Sequence, residues 1–397
     1  MNDALPQATV QIPPDRGAAL TIDIDAVVAN YRLFREMASP VPVAASLKAN
    51  AYGLGVERVA VALAAAGCEI FFVALPCEGL ALRKLLPRAC IVVLSGATRE
   101  SAPLFVRHRL SPALNSLDQV AGWQKICAAG EDVEAAVLHL DTGMSRLGLS
   151  PAEVGLLAAE PFRLDDIRLQ CVLSHLACAD EPENPMNARQ RDAFVAATAA
   201  LAPATGRVAR SLANSSGAFL GHEFHFDLIR PGAALYGINP TPGRPNPMRQ
   251  TVELHARILQ VRTVDAPQTV GYGAAHKVTG TSRIATVAIG YGDGYMRAVG
   301  NVAGGATGGI GDINSSAVAK AFIGDIPVPI VGRVSMDLIT LDVSAVPSEA
   351  ACPGAFVELI GRHVAVDDLA DWAGTIGYEV LTGLGSRLHR IYAGGTH

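Results

Sequence analysis

Short apolar runs take turns with helical periodicity over the first 240 or so residues, and after that the helical rhythm gives way to strands. Thr21-Ile22-Asp23-Ile24-Asp25 alternates polar and apolar positions as a half-buried strand does, and Asp25 stands where a helix N-cap belongs. In the AVVANYRLFREMA that follows, Val27, Tyr31 and Phe34 recur at spacings of three and four, which predicts a helix with a single buried face. Val41 to Leu47 is short and mostly apolar, the pattern of a parallel strand covered on both sides. Ile70 to Leu75, Cys90 to Ser95, Leu110 to Leu114, Glu134 to Asp141, Ile167 to His175, Val208 to Asn214 and Leu228 to Pro231 are further strand candidates, most of them separated by helix-like segments. That rhythm predicts an α/β fold whose N-terminal part, residues 17–245, is a TIM-type (β/α)8 barrel, preceded by an extension over residues 1–16.

After the turn-rich Asn239 to Pro247 stretch the pattern predicts a mainly-β domain over residues 246–397. Its strand candidates are Glu253 to Val264, Ile284 to Ile289, Val328 to Val331, Leu338 to Val343 and Phe356 to Ile360. One helix is expected at Val366 to Ala373, where Asp367 and Asp368 occupy the favourable first turn. The glycine-rich Gly300 to Gly311 segment lacks phosphate-loop spacing and reads as a surface loop.

Composition narrows the partners. With 50% hydrophobic residues and 17% charged, 397 residues can bury one large core or two. A net charge of -5 leaves no basic excess, and aromatics at 5% supply no stacking platform, so neither nucleic acid nor an anionic membrane is supported as a partner. No stretch has the length and apolarity of a membrane span, and the N-terminus lacks a basic region followed by an apolar one, so a cytoplasmic protein is expected. The seven cysteines form no C-x-x-C pair, and His222-Glu223-Phe224-His225 lacks H-E-x-x-H spacing, so no metal is expected.

Within SLKANAYGLG (46–55), Lys48 closes an apolar run. Desolvation there would favour a neutral amine, able to form a Schiff base with an aldehyde cofactor; the alternative is a lysine snorkelling to water. Arg146 lies just past a run ending in LHLD and either clamps a carboxylate or forms a surface ion pair. His175 closes another strand, as a core histidine or a catalyst. Asn214-Ser215-Ser216-Gly217 is either an ordinary N-cap or a phosphate cradle, and Arg230-Pro231-Gly232-Ala233 ends a strand with a glycine that admits a ligand close to the backbone.

These segments, with VGYGAAH, IGYGDGY and GRVSMD, follow the order of one family, and from about Leu20 to Tyr392 the chain resembles the alanine racemases. The resemblance implies pyridoxal 5′-phosphate as cofactor, alanine as substrate, and a head-to-tail homodimer whose active sites are each completed by the partner chain. By motif match, Lys48 carries the cofactor, Tyr52 and Ser215 hold its phosphate with the backbone N–H groups of Gly232 and Ala233, and Arg230 faces the pyridine nitrogen. Arg146 and the backbone of Met336 would hold the substrate carboxylate, with Asp337 beside them and Tyr291 lining the mouth of the site. Tyr272 would be the second base, supplied across the interface, with His175 as its helper in contact with Arg230. The lysine would serve the D-enantiomer and the tyrosine the L-enantiomer. A guanidinium cannot readily give its proton to the ring, so Arg230 would leave a weaker electron sink and favour reprotonation over transamination.

Three positions depart from the family pattern. Where many members carry a lysine, often carbamylated, seven residues before the carboxylate-binding arginine, this chain has His139; it could orient Arg146 as a neutral acceptor, or an anion could substitute. Ser386 stands where many have a phosphate-side tyrosine, which opens the question of serine turnover, and Leu54 replaces a common histidine. Both D-alanine supply for peptidoglycan and alanine breakdown would use the same site. A non-catalytic cofactor carrier is opposed by Tyr272 and the β domain, and a decarboxylase by Arg230, where such enzymes pair the ring nitrogen with a carboxylate.

Overall fold

The computed structural model describes residues 12–301 and 319–395. They divide into two compact units, one formed by residues 26–249 and the other by the N-terminal segment through Asp25 together with residues 250–395.

In the first unit seven parallel strands follow one another in chain order: Ala45–Ser46, Ile70–Val73, Cys90–Val93, Ser111–Leu114, Ala136–His139, Leu169–Leu173 and Ala209–Ser211. Their residues are almost all buried, as continuous apolar runs require when helices cover one face and a core the other. Residues 227–231 join the two ends of this row. On one side the amides of Asp227 and Arg230 donate to Arg210 and Ala213 at 2.9 and 3.0 Å; on the other, Ile229 donates to Pro42 at 3.2 Å and accepts from Ala44 at 2.9 Å. Those bonds, with the parallel Val43↔Ile229 bridge, close the sheet on itself, so Leu228 to Pro231 acts as an eighth staple without forming a regular strand. Ala44, Phe72, Val92, Ala113, Val137, Cys171, Leu173 and Leu228 meet in the interior, small residues beside large ones, in the layered filling of a barrel. The Ile24–Ala38 helix buries Val27, Tyr31 and Phe34, the face its periodicity predicts.

The second unit is mainly sheet. The 14-residue strand Val252–Asp265 pairs through its first half with Ala18–Asp23 and Phe356–Ile360, and through its second half with Thr281–Val287. His389–Ala393 extends the sheet parallel to Ala18–Asp23, and Lys320–Ile323, Ile326–Pro329 and Ile339–Asp342 complete it. The residue 18–23 strand, counted with the barrel in the sequence reading, therefore belongs to this sheet. Its polar–apolar alternation suggests one open face, yet in the sheet only Thr21 is partly exposed and every other residue of the strand is buried. The Val366–Ala373 helix has the bounds its pattern predicts. Gly300 falls in a 3-10 turn, Arg297–Asn301; the rest of the glycine-rich segment, and residues 1–11, lie outside the described residues. Among the described residues no helix is long and apolar enough to cross a membrane.

Candidate active site

Lys48 stands one residue past the Ala45–Ser46 strand, after Leu47, and the chain then does something L-residues rarely do. Ala49, Asn50, Ala51 and Tyr52 adopt left-handed φ values of 53°, 57°, 54° and 54° in succession. Such backbone costs roughly 1–2 kcal/mol per residue, so other bonds must hold it. Glu78 supplies one of them: a carboxylate oxygen accepts from Ala49 N at 2.6 Å, while the other, accepting from Ala74 N and Leu75 N at 2.7 and 3.0 Å, fixes the carboxylate in place. Asn50 adds its carbonyl to Gly55 N at 3.0 Å and its side chain to Val56 N at 2.8 Å. The turn brings the Tyr52 ring to 4.8 Å from that of Tyr236 and sets the Lys48 Nζ 5.9 Å from the Tyr52 centroid. Burial pushes the Lys48 ammonium below its usual pKa, Arg146 lowers it further, and Glu78 opposes both.

Tyr52 and Gly232 approach closely: a Cβ on Gly232 would lie 2.5 Å from the Tyr52 hydroxyl, so a side chain there would fill the cradle. The Ser215 hydroxyl accepts from the amides of Gly232 at 2.9 Å and Ala234 at 3.3 Å. With its lone pairs used inward, it keeps its own O–H for an outside acceptor such as a phosphate oxygen. The Gly232 amide expected to face that phosphate is thus engaged by Ser215 in the chain itself.

Arg230 is buried and donates to Ser211 Oγ and, at 2.7 Å, to the Ser174 carbonyl, while its guanidinium lies 5.7 Å from the Phe72 centroid. Burial lowers its pKa to about 10, which leaves it cationic at neutral pH. Among the described residues it makes no hydrogen bond to His175; the two interact through charge. His175 is held well below the ordinary imidazole range by burial first, then by Arg230, Arg146, Lys48 and His139. Its main chain is anchored by Gln190, whose amide donates to the His175 carbonyl at 2.9 Å and accepts from Ala177 N at 2.8 Å.

Arg146 rides on a loop with a rigid base. Leu140 and Leu149 form a parallel bridge, and Asp141 Oδ1 gathers the amides of Gly143, Met144 and Ser145 at 2.9, 3.0 and 3.1 Å. Arg146 itself is exposed and shares a pocket with His139, Ser174 and His175. Three cations, Lys48, Arg146 and Arg230, thus stand around two histidines held neutral, a field suited to anionic ligands such as a phosphate and a carboxylate.

The second unit carries Tyr272, Tyr291, Met336 and Asp337. Tyr272 is 72% exposed, and Tyr291 and Met336 are also exposed. The Tyr291 and Gly292 amides donate to the carbonyls of Ser335 and Met336 at 3.0 and 2.8 Å, an approach possible because a Cβ on Gly290 would strike Ser335 O at 2.3 Å. Arg387 fastens these loops: it grips both oxygens of buried Asp293 at 2.7 and 2.8 Å and Asp337 at 2.7 Å. Ser386, beside it, is exposed. Sequence reading passed over Glu78, Asn115, Gln190, Asp293 and Arg387, all of which act by holding other groups. Glu78 alone left a trace, as the third residue of a helix that opens with Pro76.

Two family profiles match the chain, the alanine racemase N-terminal domain over residues 22–240 and the alanine racemase C-terminal domain over residues 251–392. An alanine racemase of Rhodospirillum rubrum is 49% identical over 383 residues, covering 96% of this chain and 97% of the relative. A catabolic alanine racemase of Mesorhizobium japonicum is 46% identical over 381 residues, covering 96% and 94%. Among solved structures, the alanine racemase of Bartonella henselae with covalently bound pyridoxal phosphate superposes with a TM-score of 0.86 at 36% identity, over 95% of this chain and 99% of that one. Pyridoxal phosphate is the cofactor of this family. By sequence and by fold the chain belongs to the alanine racemase family, a family of amino-acid racemases.

Proposed function

We propose that this chain interconverts L- and D-alanine in the cytoplasm with pyridoxal 5′-phosphate bound through Lys48, the two bases being Lys48 and Tyr272 of the partner subunit in a homodimer. The observation that carries the reading is Lys48, an amine whose proton affinity is depressed by burial and by Arg146, beside the cradle of Tyr52, Ser215 and Gly232. The cofactor, when bound, supplies an electron-withdrawing ring that stabilises the charge left as the α-proton departs. Tyr52 and Ser215 would offer their hydroxyls to its phosphate, and Arg230, tied to Ser211 and Ser174, would meet the ring nitrogen as a fixed cation. Arg146, with the backbone of Met336 and Asp337 from the partner subunit, takes the substrate carboxylate.

Inversion requires a proton removed on one face and returned on the other. Lys48 handles the proton of D-alanine at its Nζ, and Tyr272 that of L-alanine at its phenol oxygen. A phenol needs help to act near neutrality, its unperturbed pKa being about 10. His175, neutral in its cationic surroundings, offers a ring nitrogen that orients the phenol O–H, while Arg230 and Arg146 stabilise the phenolate. The 72% exposure of Tyr272 supports its delivery to a second copy of the chain. Ser386 in place of a bulkier side chain supports a side activity on serine, readable as D-serine by chiral chromatography; its absence under conditions that racemise alanine would remove that part.

The test of the central reading is borohydride reduction followed by peptide mapping. Label is expected at Lys48, and label elsewhere or nowhere in reconstituted protein would overturn the assignment. In deuterated water, Tyr272→Phe should keep α-proton exchange from D-alanine and lose it from L-alanine. Equal loss from both enantiomers would overturn the division between the two bases.

A further inference from the structure

His139 ends the Ala136–His139 strand, next to the loop that carries Arg146. Its Nδ1 lies 2.6 Å from Asn115 Oδ1. The neighbours of Asn115 determine which of its terminal atoms that is. The other one sits 3.0 Å from the Leu94 carbonyl and 2.8 Å from the Ala113 carbonyl, and both of those can only accept. It must be the NH2 group, so the atom facing His139 is the carbonyl oxygen. A turned-over Asn115 would set its oxygen against a third acceptor as well: Gln119 Oε1 lies 3.5 Å from the NH2 group, and Gln119 is itself held by the Asn115 backbone amide at 2.9 Å and by its own donation to Ser95 O at 3.2 Å.

An oxygen acceptor at 2.6 Å requires a proton on His139 Nδ1. Burial, reinforced by Arg230 and Arg146 and opposed by Asp141, lowers the imidazole to about 4 and prevents a second proton from binding near neutrality. Nε2 therefore carries a bare lone pair. Asn115 is the one hydrogen-bond partner of the His139 ring among the described residues, and His139 lines the same pocket as Arg146, Ser174 and His175.

We infer that His139 is a positioning residue for Arg146: its unprotonated Nε2, fixed in that tautomer by Asn115, accepts a guanidinium N–H and aims the rest of the fork at the substrate carboxylate. The inference rests on the reading of Arg146 as the carboxylate clamp. It has a consequence for charge. An anion beside Arg146 would orient the guanidinium but cancel part of its field, whereas a neutral lone pair orients it and leaves the full charge for the substrate. The opposite tautomer would present an N–H to the guanidinium, repel it, and recruit an anion between the two. The two tautomers thus differ in the sign of their response to small anions.

The tautomer can be read directly by nitrogen NMR of the full-length holoenzyme labelled with 15N-histidine, the His139 signals being assigned by their loss in His139→Gln. Protonated Nδ1 and bare Nε2 are expected between about pH 8 and about pH 6, the range over which an ordinary imidazole titrates. A protonated Nε2, or a ring that gains charge in that range, would overturn the inference. His139→Leu should raise KM for alanine about tenfold, the effect of a lost hydrogen bond to a charged group, with a smaller change in kcat. His139→Gln, which restores an acceptor, should recover part of that loss. A chloride titration at constant ionic strength should leave the wild-type KM unchanged, and a KM that falls with chloride would mean an anion does the orienting. If Arg146→Lys leaves KM unaltered while the NMR pattern holds, the carboxylate reading fails and the His139–Asn115 assignment survives.

Discussion

At the scale of single residues, the site is built by choosing which groups carry charge. Lys48, Arg146 and Arg230 are gathered, and the histidines between them are kept neutral by burial and by those same cations. The histidines leave a signature in stability. His139 falls from the usual 6.5 to about 4 on folding, so between these values the unfolded chain binds more protons than the folded one. Its contribution is complete above about pH 6.5 and is lost as pH drops toward 4, on the order of 3 kcal/mol at most. His175 acts in the same direction. Melting temperature should therefore decline over that acid range, and His139→Gln should make the decline shallower; an unchanged slope would mean His139 is not buried neutral. The Lys48 ammonium is held against its preference. Lys48→Met should abolish racemisation while raising the melting temperature of the cofactor-free chain, and a lower melting temperature would contradict that desolvation.

At the scale of elements, the barrel strands and the Val366–Ala373 helix were legible because each is a local pattern. The left-handed turn after Lys48 was not: Ala49, Asn50 and Ala51 bear no local mark of positive φ, and the bond that ties its first amide comes from Glu78, about thirty residues on. The turn predicts an order of stabilities. Ala49→Gly should be neutral or stabilising, whereas Ala49→Val should lose at least about 1 kcal/mol, since a β-branched residue tolerates that region least. Equal melting temperatures for the two would mean the turn relaxes in solution. The Arg387 staple makes a parallel case in the other unit. Arg387→Ala leaves Asp293 buried without its partner and should cost about 3 kcal/mol, seen as a lower denaturation midpoint.

At the scale of the whole molecule, each compact unit carries half of the proposed chemistry, and the β unit displays Tyr272, Tyr291 and Met336 at its surface. If Tyr272 serves a second copy of the chain, two inactive variants should rescue each other. Mixing Lys48→Ala with Tyr272→Phe after dissociation and reassociation should restore about one quarter of the native activity, because half the dimers are mixed and each has one intact site. No recovery would place Tyr272 and Lys48 of the same chain in one site. Residues 18–23 pair with the strands of the β unit although they precede the barrel in the chain, because a strand's residue pattern does not say which sheet supplies its neighbours.

Taken by itself, the order of residues determined the succession of strands and helices, the change to a β domain near residue 250, and the family to which Lys48, Arg146 and Arg230 belong. Those are properties of periodicity and of motif, carried by neighbours along the chain. The tertiary structure alone decided that residues 227–231 close the barrel, that Glu78 holds the turn after Lys48, and that Asn115 dictates the proton on His139. Each of these is a hydrogen bond between positions far apart in sequence, and no local pattern encodes which distant donor a folded backbone will bring within reach.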